Sequence, residues 1–256
     1  MLDLALALAL SWQDPPPAPK EQDPEPAVRT PAPPAFENWD DRRTREELKA
    51  FKDRLRGRKV SLAKRTEAVE ALAKGRHEDL VKPLAKVVAE DPATTVRQLA
   101  ADALGHQPQK EARRALLQLL RSKDLGEAPT VQAAVLRALN TVGYEGDDWE
   151  FVEPLFGDDY GPERVDLQKA VLELVTKHEE AQACDLLLDN LDPPQPADID
   201  DPGNPPAAYW ERRWKAWEVW REDVKKALFA ITGQRFSTSE EARKWLDKNG
   251  RKLRRR

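Results

Sequence analysis

One cysteine stands in 256 residues, Cys184, so no internal disulfide staples this chain. That fits a reducing compartment, or an exported protein that does without bridges. Histidine is scarce too: His77, His106 and His178 are all there is. No CxxC or HxxxH spacing accompanies them. A metal held by His178 and Cys184 would need both on one face of a helix, and six residues apart they point different ways. No metal and no cofactor are therefore expected. A phosphate-cradling glycine loop, a G-x-S-x-G elbow and a dinucleotide fingerprint are also absent. Asp198-x-Asp200-x-x-Gly203 hints at a calcium loop. It lacks the closing Glu, with Pro202 at its fifth position and Tyr209 at its twelfth. Asp147-Asp148 and Asp158-Asp159 read as turn and N-cap residues, not as catalytic carboxylates. The formal charge of −4 leaves no overall electrostatic case for nucleic acid. No segment alternates with period two, which argues against strands.

What is present is a repeat. Val96-Arg97-Gln98-Leu99-Ala100-Ala101-Asp102-Ala103-Leu104-Gly105 aligns with Val131-Gln132-Ala133-Ala134-Val135-Leu136-Arg137-Ala138-Leu139-Asn140. Lys64-Arg65 with Ala68, Ala71 and Leu72 makes an earlier copy, and Leu167-Gln168 with Ala170, Val171, Leu174 and Val175 a later one. Successive copies begin 32, 35 and 36 residues apart. A period of that size marks a stacked array. Apolar residues at 0, +3, +4, +7 and +8 form one stripe of a helix. About twenty residues after each copy begins, a second apolar run follows: Leu80 to Val88, Ala112 to Leu120, Phe151 to Phe156, Leu186 to Leu191. Each unit thus reads helix, turn, helix. Gly75, Gly105 and Gly143 fall where first helices should stop. Pro92, Pro108, Pro129 and Pro162 fall where helices should start. One helix pair cannot bury both its faces; a stack can.

The flanks differ from the array. Leu2 to Leu10 is apolar and ends at Ala9-Leu10-Ser11. It is too short for a bilayer span, which needs ~20 residues, and reads as a signal peptide over 1–11. Asp3 stands where a basic residue belongs, and an amphipathic N-terminal helix is the alternative. Residues 12–40 form a Pro-rich linker, with nine prolines between Asp14 and Pro34. Residues 41–191 are expected to hold the repeats behind an N-terminal capping helix from Thr44 to Leu55, started by a Thr44-x-x-Glu47 capping box. A Pro/Asp-rich loop, 192–206, breaks the pattern. Residues 207–256 are Trp-rich capping helices, with Ser237 or Ser239 capping the last, and end in a basic tail. In this module Trp210, Trp214, Trp217, Val224, Leu228 and Ile231 follow one helical stripe. Tyr209 and Trp220 fall off it, which makes them the candidates for exposed aromatics.

The signature V-R-x-x-A-A-x-A-L-G, carried at Val96 to Gly105 and echoed from Val131, resembles HEAT repeats of the short bacterial PBS-lyase-like type. Ile231-Thr232-Gly233-Gln234-Arg235-Phe236 followed by Trp245 is similar to the tail of exported bacterial HEAT-repeat proteins. The likeness covers about residues 60–191 and that tail. Lys64 departs from the signature in the first copy, and the third and fourth units are longer. The resemblance implies an all-α fold, a right-handed α-solenoid of stacked antiparallel helix pairs that binds other proteins on a concave face.

The functional expectation is a non-enzymatic protein–protein interaction scaffold, exported to the periplasm or cell envelope, with no nucleic acid and no integral membrane span. The alternative is an accessory or lyase-type HEAT-repeat enzyme acting on a bound pigment or protein. Candidate partner contacts are Arg113, Arg114, Gln118 and Arg121, which fall off the second-helix stripe, together with Tyr209 and Trp220.

Overall fold

Residue 36 is where structure begins to be described in the computed structural model, which covers residues 36–253 apart from 58, 123, 124, 126, 127, 158, 197 and 199. The expected signal segment, all but the last five residues of the expected linker and the terminal Arg254 to Arg256 lie outside the described residues. The first copy of the repeat becomes α2 (Leu62–Ala73) and its second run α3 (Glu78–Glu90). The next copies give α4 (Thr94–Leu104) with α5 (Gln109–Arg121), α6 (Pro129–Val142) with α7 (Trp149–Phe156), and α8 (Val165–His178) with α9 (Cys184–Asp189). The array is flanked by α1 (Asp41–Arg54), α10 (Ala207–Thr232) and α11 (Ser239–Leu253).

Two layers result. The first helices stack on one another in the order α2, α4, α6, α8, α10. In the second layer α1 meets α3, α3 packs on α5, α5 on α7, and α9 on α11. This is an all-α solenoid, as the periodicity predicts. One detail differs from the sequence unit: the closest neighbour of each second helix is the first helix that follows it. The tight pairs are α1/α2, α3/α4, α5/α6, α7/α8 and α9/α10. First helices are therefore sandwiched, and both flanks are buried: Ala100, Ala103 and Leu104 on one side of α4, Ala101 on another, and likewise Ala133, Val135, Leu136 and Leu139 in α6. Alanine lets the rods approach closely. A methyl group on Gly105 would already lie 3.2 Å from the backbone of Ala138 in the next first helix.

Junctions between rods leave carbonyls that need donors. The residue after the first position of the signature supplies them. Arg65 pairs with Asp91 at 2.9 Å and donates to the Val60 carbonyl at 2.7 Å. Arg97 donates to the carbonyls of Val88 and Leu125. Gln168 donates to those of Phe156 and Asp159.

At the N-terminal end residues 36–40, expected as linker, belong to the body. Phe36 stacks on His106 with centroids 3.9 Å apart. Strand β1 (Glu37–Asn38) pairs in parallel with β2 (Gly75–Arg76), Glu37 opposite Gly75. Trp39 then lies so close over Gly75 that an added Cβ would fall 2.3–2.5 Å from its ring. The cap of α1 is Asp40, whose carboxylate accepts from the Arg43 amide at 2.7 Å. The expected capping box at Thr44 is therefore corrected: anchored Trp39 fixes the entry one turn earlier, and Thr44 is buried inside the helix.

At the other end, α10 spans 26 residues, ~39 Å, and outruns the 14-residue α8. Its buried stripe is Trp217, Trp220, Val224, Ala227, Leu228 and Ile231. Trp220, expected as exposed, is fully buried. Its indole packs edge-on to Phe156 at 5.3 Å and donates to the Gln168 side-chain oxygen at 3.2 Å. The ladder glutamine thus satisfies the one polar atom that would have kept this tryptophan outside. Trp214, expected on the stripe, is 43 % exposed. The end of the stack is clasped by Asp192, whose carboxylate accepts from the Ser239 amide and hydroxyl. Thr238, not Ser237 or Ser239, caps α11, accepting from the Glu241 amide at 3.2 Å. Among the described residues no helix is long and apolar enough to cross a membrane.

Candidate partner surface on α5

In the second-helix layer α5 carries four cations, Lys110, Arg113, Arg114 and Arg121. Ala112, Leu116 and Leu119 turn inward. Lys110, Arg113, Arg114 and Arg121 recur at helical spacing toward the outer side, 0, +3, +4 and +11, with buried Leu117 at +7 between them. With Gln109 and Glu145 they line a depression of about 520 Å³. Its floor is fixed by Arg113. That guanidinium bonds both carboxylate oxygens of Asp148, at 2.8 and 2.9 Å, and reaches Glu145 at 2.9 Å. Asp148 is almost wholly buried and also accepts from the Glu145 amide at 3.0 Å. A turn at Gly146–Asp148 presents these acids, because Glu145 and Asp148 cap each other. The expectation that Asp148 serves a turn is thus met. Gly143, the C-cap of α6 at φ 138°, lets Gln109 approach to 2.7 Å of where a Cβ would sit.

The remaining cations differ in freedom. Arg121 lies over the Phe151 ring at 3.9 Å, linking α5 to α7. Arg114, Lys110 and Gln118 are exposed. Gln118 sits beside the depression instead of lining it. Of the expected contacts, then, Arg113, Arg114 and Arg121 converge and Gln118 flanks them. Tyr209 does not join them. It is half-buried at the start of α10, edge-on to Tyr160 and Trp210, and Trp220 is interior. Lys110 was legible from its spacing. Glu145 was not, because only the fold brings it across from the next turn.

Other concavities have a different character. A groove of about 790 Å³ between α1 and α3 is lined by Leu48, Phe51, Leu55, Pro83 and Val87, with charges of both signs at its rim. At the junction of α8 with the following turn, the Tyr144 hydroxyl donates to buried Glu180 at 2.6 Å, and His178 Nε2 meets Asn140 at 2.9 Å. Burial, then the bond to Glu180, pushes the Tyr144 hydroxyl far above the usual phenol range. Burial and neighbouring Lys177 hold His178 below the usual imidazole range. Each of these polar groups spans from one repeat to the next, which is a structural use. Cys184 opens α9, partly buried against the core. Among the described residues no group of three or more His, Cys, Asp or Glu side chains is placed to hold a metal.

Comparison with known proteins agrees with this geometry. The HEAT-repeat family profile matches twice, over residues 48–140 and 81–170. No curated protein and no solved structure matches the chain. The matched span runs from within α1 into α8, and residues 48–170 of this chain are similar to HEAT repeats.

Proposed function

We propose that this protein is a non-enzymatic scaffold of the PBS-lyase-like bacterial type, exported, and that it holds a protein partner on the second-helix surface around α5. The supporting observation is the convergence of Arg114, Arg121 and Lys110 on one depression whose floor is locked by Arg113 and Asp148. Arg, unlike Lys, is enriched at the energetic centres of protein interfaces. A floor that is already set lowers the ordering cost of binding. Gln118 extends the surface along the helix, and Tyr209 offers a separate, half-buried aromatic edge on α10. HEAT repeats themselves suggest a scaffold for protein interaction.

A photo-crosslinking residue placed at Gln118 in the protein's own cells tests this. The expected result is one discrete protein adduct, absent when the residue is placed at Lys215 on the outer side of α10. No adduct at either position, or the same adducts at both, rules the surface out. Fractionation with N-terminal sequencing tests export: an intact Met1 on a cytoplasmic protein contradicts it.

A further inference from the structure

We infer that the α5 depression takes an extended acidic segment of the partner protein, about six residues long, with carboxylates on Lys110, Arg114 and Arg121 and one apolar side chain against Leu117. This rests on the scaffold reading and names the chemistry of its partner.

Charge is the first ground. Four cations line the depression against a single carboxylate, Glu145. That carboxylate and Asp148 behind it are both already bonded to Arg113. Lys110 and Arg114 are thus left facing outward, and Arg121 lies beside them over the Phe151 ring, on a protein whose formal charge is −4. Such a local reversal of sign steers an anionic partner to one place.

Spacing is the second ground. Lys110 and Arg114 lie one turn apart, ~6 Å along the axis, and Arg121 is ~10 Å further on. An extended chain places same-side residues ~6.6 Å apart, so its residues 0, +2 and +4 face the helix over ~13 Å and the long Arg121 side chain closes the remaining ~3 Å. Acidic residues two apart therefore meet Lys110 and Arg114 in register. Leu117 lines the depression between the cations, and the small part of it left uncovered gives one side chain of the segment an apolar contact.

The protein reading is favoured over nucleic acid by the same residues. Phe151, the aromatic ring at the edge among the described residues, has Arg121 over it where a base would stack.

The test is fluorescence polarisation on the full chain with a labelled peptide, Glu-Glu-Leu-Glu-Asp-Leu-Glu-Glu. Its Gln/Asn counterpart, a twelve-nucleotide single-stranded DNA and the labelled chain itself serve as competing probes. The acidic peptide is expected to bind at least tenfold tighter than its neutral counterpart and to weaken as salt rises. K110E with R114E is expected to reduce binding at least tenfold at unchanged helicity, whereas K215E leaves it intact. Equal binding of the neutral peptide, tighter binding of DNA, or capture of a second copy through the same residues overturns the inference. So does a lack of peptide binding. If the crosslink at Gln118 still captures a protein in that case, the scaffold reading stands and only the acidic segment falls.

Discussion

Trp220 and Trp214 lie six residues apart on one helix, on different faces, and should behave oppositely. Trp220→Ala opens a cavity beside Phe156 and strands the Gln168 oxygen, so it is expected to cost ~3–5 kcal/mol. Trp220→Phe keeps most of the packing but leaves that oxygen without its donor, for ~1–2 kcal/mol. Trp214→Ala, at a 43 % exposed site, should stay within about 0.5 kcal/mol. Urea unfolding measures all three, and an equal loss from Trp214→Ala contradicts the assignment. Asp148 gives a second contrast. Asp148→Ala leaves Arg113 without its bidentate partner and should cost ~2–3 kcal/mol, less than a fully dry pair because Arg113 is partly wet. Titration gives a third. Burial lowers both His178 and His106 in the fold, with Asp102 opposing it at His106. The unfolded chain therefore takes up those protons first, and stability falls as pH drops through about 6.5. Asp102, raised by burial, acts with the opposite sign at more acid pH. Asp166, lowered by its bond to Arg137, contributes stability that is lost in that same acid range. Replacing both histidines by Asn should flatten the slope between pH 7 and 5.5, and an unchanged slope refutes the assignment.

Elements were the part of this protein most open to reading from sequence. A stripe at 0, +3, +4, +7 and +8 has only one way to bury itself, so the four copies became first helices with Val96, Ala100, Val131 and Leu139 inside. What the pattern could not reveal was the neighbour. Apolar spacing says that a face is covered, not by which rod. The pairing of α3 with α4 thus had no local signal, and Trp220 fell on the wrong side of α10 for want of Gln168. The candidate site was legible to the same depth. The cations of α5 could be counted along the chain, but Glu145 arrives through a turn after α6. Glycine ties the first element to the second. Gly75→Ala drives a methyl group into the Trp39 ring. Its expected result is release of the β1 clip, seen as faster amide exchange at Glu37 and Trp39 with α4 to α8 unaffected. Uniform loss of protection would show that α1 is not a separable end.

At the scale of the molecule, stability in a stack is a sum over neighbours. Removing residues 207–256 uncovers α8, with Leu172, Val175 and the Gln168 oxygen bared at once. The shortened chain should bind a hydrophobic dye, and its unfolding should broaden, because the last interface has lost its lid. The intact chain should show neither effect.

The clasp at Asp192 bears on how the polypeptide tolerates a break. Either side of the 192–206 segment is moored independently: Ser239 to Asp192, Arg243 to Asp189, and the Trp217 indole to the Asn190 carbonyl. Scission of the peptide bond after Asp200 should thus yield two pieces that co-migrate in native buffer and part only in denaturant. Expressed separately, they should reassemble like a tenon entering its mortise.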